Sequence, residues 1–113
     1  MSTHTPVVLI VDDEPLLLDS TARLLSRAGY RVLKASSLEA ARAHRSEPID
    51  VVLSDVHMPA ADGYAVRAAF LPRCPVVLMS AQAEHEDILP KPFTATMLLS
   101  RLEAARSARR SVA

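Results

Sequence analysis

Apolar and polar residues fall in blocks along this chain of 113 residues, and most blocks have a readable period. Pro6 to Val11 is a short, unbroken apolar run that stops at Asp12. Such a run predicts a strand buried on both faces, as in a parallel sheet. Leu17, Thr21, Leu24, Leu25 and Ala28 then recur with helical spacing. Pro15 suits the first turn of that helix and Gly29 the position just past its end. Tyr30 to Ala35 alternates in part, which predicts an edge-side strand. Ser36 and Glu39 have capping-box spacing and open a second helix over Leu38 to Arg45. Ile49 to Ser54 is another apolar strand, and it too ends at an acid, Asp55. Gly63 to Leu71 reads as a third helix and Pro75 to Ser80 as a fourth strand. A last helix runs from Thr94 to about Arg110, with Leu98, Leu99, Leu102 and Ala105 as its apolar face.

Strands alternating with helices imply right-handed βαβ units and a parallel sheet covered on both sides. The fold class is therefore α/β, open and doubly wound. No internal repeat, low-complexity segment or linker interrupts the pattern, and residues 1–113 are expected to form a single domain.

Composition narrows the function more than the fold. Half of the residues are hydrophobic and 23% are charged, with 13 basic residues against 13 acidic ones. That balance argues against a broad basic surface for nucleic acid or anionic lipid. The basic tail of Arg101, Arg106, Arg109 and Arg110 reads as a solvated helix end, favoured by the helix dipole. The single cysteine, Cys74, excludes an internal disulfide and suits a reducing compartment. No apolar run approaches the roughly 18–20 residues that span a bilayer. The chain starts without a secretion signal, so a cytoplasmic protein with no membrane partner is expected. Met58, Met79 and Met97 read as core filler.

The chemistry lies where strands end in acid. The first strand runs into Asp12 and Asp13, the third into Asp55. In open α/β sheets, ligands bind beyond the carboxyl ends of the strands, where the strand order switches direction. If strands one and three are neighbours there, three carboxylates share one crevice. Two like charges about 4 Å apart repel by about 4 kcal/mol at an effective dielectric near 20. The cluster therefore needs a cation, or a carboxyl that stays protonated. A hard, oxygen-ligated divalent ion that keeps several waters fits, and Mg²⁺ is the natural choice. A carboxylate beside such an ion can attack phosphorus and form an acyl phosphate. Ser80 after the fourth strand and Lys91 ahead of Pro92 offer a hydroxyl and a cation to complete a phosphoryl clamp. Each of these residue types is common in turns when taken singly. Their joint placement at strand ends carries the argument.

Val7-Val8-Leu9-Ile10-Val11-Asp12-Asp13-Glu14-Pro15, Ser54-Asp55-Val56-His57-Met58-Pro59 with Asp62-Gly63, Val77-Leu78-Met79-Ser80-Ala81, and Lys91-Pro92-Phe93 resemble the receiver domain of two-component response regulators. The motifs stand in the family's order and cover nearly the whole chain. The resemblance implies a flavodoxin-like, five-stranded parallel sheet in the order 2-1-3-4-5. It also implies phosphotransfer to Asp55 from a histidine kinase or a histidine phosphotransfer protein, with a protein partner downstream. On the same resemblance, Asp13 would bind Mg²⁺ directly and Asp12 mainly through water. Asp55 would be both ligand and phosphoacceptor, with the backbone carbonyl of His57 as a further ligand. Ser80 would turn its hydroxyl toward the phosphate, and Lys91 would pair with a phosphate oxygen. The Lys91–Pro92 bond resembles the family's cis peptide. Glu14 is left as a solvated residue opening the loop. The His57 side chain and Gln82 stand at positions bordering the phosphate.

Two departures from the pattern stand out. Only residues 81–90 separate Ser80 from Lys91, where the family places a loop, a fourth helix and a fifth strand. An average helix alone takes about 11–12 residues, so the fourth helix is expected to be missing or vestigial, with a short strand near Ile88-Leu89. Ile88 also stands where the family has a switch aromatic, so a ring rotating with the Ser80 hydroxyl is not expected. The shortened segment should leave a sheet edge near strand four or five, open to pairing with a second copy unless it is covered. Signalling would then either use another face, such as the first or last helix, or consist of a simple change in loop order. The competing functions are a degenerate receiver acting as a phosphorylation-independent adaptor, and a phosphatase with an aspartyl-phosphate intermediate. The phosphatase class wants an acid-x-acid pair, which Asp12-Asp13-Glu14-Pro15 fits poorly.

Overall fold

The structure is a computed structural model that describes residues 4–82 and 85–112. Its strands are β1 (Val7–Val11), β2 (Arg31–Ala35), β3 (Val51–Asp55), β4 (Val76–Ser80) and β5 (Ile88–Pro90). Its helices are α1 (Pro15–Arg27), α2 (Leu38–Arg42), α3 (Gly63–Phe70) and α4 (Ala95–Val112). All neighbouring strands pair in parallel, and the sheet order is β2-β1-β3-β4-β5. The doubly wound sheet expected from the sequence is present, in the implied order.

Strand alternation divides the core between the two faces. Val8 and Ile10 of β1, Val51 and Leu53 of β3, and Val77, Met79 and Leu89 pack with Leu18 and Leu25 of α1 and Leu98 and Leu102 of α4. On the other face, Leu9, Val11 and Val52 pack with Ala41 of α2 and Val66 and Phe70 of α3. Both faces of β1 and β3 are fully covered, which explains their unbroken apolar runs. Leu98 is wholly buried where α4 meets the sheet. Leu98→Ala is expected to cost about 2–5 kcal/mol, measured as a lower denaturation midpoint at unchanged m-value.

Local chemistry sets the helix ends. Gly29 has φ 102°, and the amides of Gly29 and Tyr30 donate to the carbonyls of Ser26 and Leu25, closing α1 with a left-handed glycine as expected. The Thr94 hydroxyl accepts from the amide of Met97 and opens α4. Asp62 accepts from the amide of Ala65 and opens α3.

Several sequence expectations shift in register. The α2 cap is Ser37, whose hydroxyl accepts from the amide of Ala40, and not Ser36. Either serine can cap; capping at Ser37 goes with burial of Ala41 against the sheet. Beyond Arg42 the chain tightens into i→i−3 bonds at His44, Arg45 and Glu47, so α2 stops short of Arg45. On α1 the buried positions are Leu18, Thr21 and Leu25, while Leu17 is 39% exposed and Ala28 is exposed. The run Leu16-Leu17-Leu18 carries no phase of its own, so contact with the sheet decides it. Met79 is core, and Met58 packs, half-buried, against the Leu9 and Val52 side of the core, but Met97 is 40% exposed. Cys74 is buried against the carbonyl of Ile49. Arg106 stacks on the Tyr30 ring and pairs with Glu103, so it is tied down and not simply solvated. The side chains of Arg109 and Arg110 lie outside the described residues.

Between β4 and β5 the chain makes turns, with no helix among the described residues. Ala83 and Glu84, part of the segment expected to hold at most a turn, lie outside them. Ile88 is buried with Val56 and Leu78. The outer strand β5 has three residues and ends at Pro90, and both shortness and proline blunt an edge. Arg101 of α4 donates to the carbonyl of Asp87 and ties this segment to the helix.

Candidate phosphoacceptor and metal site

The register of the sheet builds the site. Val11 pairs with Ser54, so the residues that follow, Asp12 and Asp55, come level at the ends of adjacent strands. Ile10 and Leu53 face the α1 and α4 side, and alternation puts Asp12 and Asp55 on that same side. Met79 pairs with Leu89 and Ser80 with Pro90, so Lys91 follows level with the end of β4. The amide of Lys91 donates to the carbonyl of Ser80 at 2.9 Å.

The structure brings Asp12, Asp13, Asp55 and Lys91 together. One carboxylate oxygen from each aspartate lies within 4.8 Å of the other two. The Lys91 ammonium is 3.4 Å from Asp55 Oδ1 and 3.5 Å from Asp12 Oδ2. Asp12 and Asp55 are buried and Asp13 is half-buried. Asp12 Oδ1 accepts from the amide of Glu14 at 3.0 Å, while the Glu14 side chain is exposed. The Lys91–Pro92 bond is cis, as the resemblance implied, and so is Leu71–Pro72, which no sequence feature singled out.

Ser80 is buried, and its hydroxyl oxygen accepts from the amide of Gln82 at 2.9 Å. Its proton remains available to donate elsewhere. His57, an exposed residue of the loop after β3, lines the crevice with Gln82, Asp55 and Lys91. That crevice has a volume of about 670 Å³ and continues over an apolar wall of Leu17, Leu24, Pro92 and Phe93.

Three carboxylates face one ammonium here, so negative charge is in excess. Burial pushes the Asp55 carboxyl above its ordinary value. Lys91 pulls it back, and Asp12 and then Asp13 push it further up. The folded protein therefore holds this proton more tightly than the unfolded chain does. The stability linked to it is fully present below the ordinary aspartate range and is lost as pH rises through that range to the raised value. Metal-free Asp55→Asn protein is accordingly expected to melt above wild type at neutral pH, with the gap narrowing in acid. Thermal melts in a chelator across pH check this, and a variant that melts lower at neutral pH contradicts it.

The donor set fits Mg²⁺. Metal–oxygen bonds of about 2.0–2.1 Å in an octahedron place ligand oxygens roughly 3–4 Å apart. Oxygens gathered within 4.8 Å reach that spacing with small side-chain adjustments or one bridging water. All the donors are hard oxygens, and the charge excess calls for a cation.

A parallel sheet whose order reverses between β1 and β3, with buried acids at that switch point, defines a flavodoxin-like α/β protein with an acidic crevice. The chain belongs to the response regulator receiver domain family, whose family model matches residues 8–103. The transcriptional regulatory protein KdpE of Mycobacterium tuberculosis is 33% identical over 113 residues, covering 88% of this chain and 50% of that protein. Response regulator GtcR of Aneurinibacillus migulanus is 30% identical over 111 residues, covering 86% of this chain and 46% of that protein. The chain thus spans about half the length of these curated relatives. A response regulator receiver domain protein from Clostridium thermocellum superposes with a TM-score of 0.84 at 26% identity, covering 96% of this chain and 99% of that one. The fold is also shared with the response regulator TrrA of Thermotoga maritima, solved in complex with Mg²⁺ and BeF, at a TM-score of 0.80 and 22% identity, covering 88% of this chain and 98% of that one.

Proposed function

We propose that this chain acts as a single receiver domain that takes a phosphoryl group onto Asp55 and switches a protein partner. The observation that carries the proposal is the meeting of Asp12, Asp13, Asp55 and Lys91 at the carboxyl ends of three strands. Asp13 and Asp55, with the backbone carbonyl of His57, would hold Mg²⁺, and Asp12 would reach it mainly through water. Bound there, the ion supplies positive charge against the phosphoryl oxygens during transfer.

A carboxylate oxygen of Asp55 attacks the phosphorus of a phosphohistidine. The new P–O bond makes an acyl phosphate as the P–N bond breaks, and the imidazole, already protonated on its other ring nitrogen, leaves as the neutral ring. Lys91 meets one phosphoryl oxygen, and the Ser80 hydroxyl donates to another while still accepting from Gln82. The donor would be a histidine kinase or a histidine phosphotransfer protein, covering the apolar wall of Leu17, Leu24, Pro92 and Phe93. Such chemistry suits a signalling domain of the cytoplasm and requires neither nucleic acid nor membrane contact by this domain.

The test is incubation of wild-type protein with a small-molecule phosphodonor, with Mg²⁺ and with a chelator. Mg²⁺-dependent label is expected. A folded protein that stays unlabelled would favour a phosphorylation-independent adaptor.

A further inference from the structure

Gly63 stands outside the acidic cluster, yet it packs against the backbone of the acceptor strand. It is buried at the first position of α3. A Cβ built on it would lie 2.5 Å from the carbonyl oxygen of Asp55 and 2.9 Å from Cα of Val56. Both neighbours are backbone atoms, so no side chain can swing aside to make room. Among the glycines, only Gly29 takes a positive φ. The demand at position 63 is for space and not for unusual backbone angles.

Val56, the residue after the acceptor, is held from two directions through its two backbone polar groups. The amide of Val56 donates to the carbonyl of Met79 on β4, and the amide of Gly63 donates to the carbonyl of Val56, each at 2.9 Å. The acceptor strand therefore leaves the sheet clamped between β4 and the first turn of α3. The loop 56–62, which carries His57, is closed at its base by the same contact.

We infer that Gly63 is a positioning residue for the phosphoacceptor and its metal site: its missing side chain lets α3 seat the Asp55 peptide at its distance from Asp12, Asp13 and Lys91. This rests on the reading of Asp55 as acceptor and metal ligand. Any side chain at 63 must push either α3 outward or the Asp55 carbonyl toward the crevice. The second movement carries the Asp55 carboxylate and the His57 carbonyl with it. Groups that orient metal ligands typically change affinity by about 10–100-fold when altered.

The experiment compares wild type, Gly63→Ala and Val66→Ala by Mg²⁺ titration and thermal melting. Val66 is wholly buried on the same helix but packs into the α2 and α3 side of the core, away from the acids. Gly63→Ala is expected to fold and to bind Mg²⁺ at least about tenfold more weakly. Its rate of labelling by a small phosphodonor should fall in parallel. Val66→Ala is expected to melt lower yet keep wild-type Mg²⁺ affinity. Wild-type affinity in folded Gly63→Ala, or an equal loss in Val66→Ala, overturns the inference. If Gly63→Ala unfolds in buffer, the titration is repeated in trimethylamine N-oxide, which favours the compact state. A variant that stays unfolded there overturns it too, since the contact would then serve folding and not position. Absence of Mg²⁺ binding by wild type is a different result and refutes the acceptor reading itself.

Discussion

Asp55→Asn protein, treated with a small-molecule phosphodonor and Mg²⁺, is expected to carry no acid-labile, hydroxylamine-sensitive phosphoryl group. The amide oxygen of asparagine is a poor nucleophile, and the substitution keeps the size and shape of the side chain. Burial between β3, β4 and the crevice holds Asp55 close to Lys91, so the loss should be complete and not partial. Phosphate-affinity electrophoresis of wild type and variant side by side reads the effect. Label of wild-type amount on the variant would move the acceptor elsewhere in the chain.

Asp13→Ala is expected to weaken Mg²⁺ binding by at least about tenfold, in line with the cost of disturbing a metal-ligand set. Asp13 is only half-buried, so its removal leaves no void in the core and the fold should persist. Phosphoryl transfer should then require much more Mg²⁺ to reach the wild-type rate. Calorimetric or fluorescence titration with Mg²⁺ checks the affinity, and an unchanged dissociation constant refutes the ligand role.

These two results depend on a site that was largely legible in the chain. Apolar runs ending in Asp12 and Asp55 marked both acidic strand ends, because a strand buried on two faces leaves no polar residue until it exits the sheet. The register that makes the acids neighbours was not in the spacing. It came from the implied strand order and is now seen as Val11 opposite Ser54. That no helix stands between β4 and β5 among the described residues was readable from length alone, since so few residues cannot supply both helix and strand.

Where the sequence misled, several residues could fill one role or the deciding contact lay far along the chain. Ser36 and Ser37 are both capable caps, and packing at Ala41 accompanies the choice of the second. Leu16, Leu17 and Leu18 are equally apolar, and only the sheet shows that Leu18 points inward. Met97 and Leu98 are adjacent and apolar, yet the helix turns one out and the other in. Gly63 was visible as part of a motif, but its contact with the Asp55 carbonyl needs the path of the whole loop.

Borohydride reduction of the phosphorylated wild-type protein bears most directly on the whole account, because hydride converts an aspartyl phosphate to homoserine at the residue that carried it. Peptide mapping by mass spectrometry is expected to find homoserine at position 55 alone, and only when Mg²⁺ was present. Homoserine at another aspartate, or none at all in protein shown to be folded, would contradict the claim that these strand ends converge to leave Asp55 poised toward phosphorus.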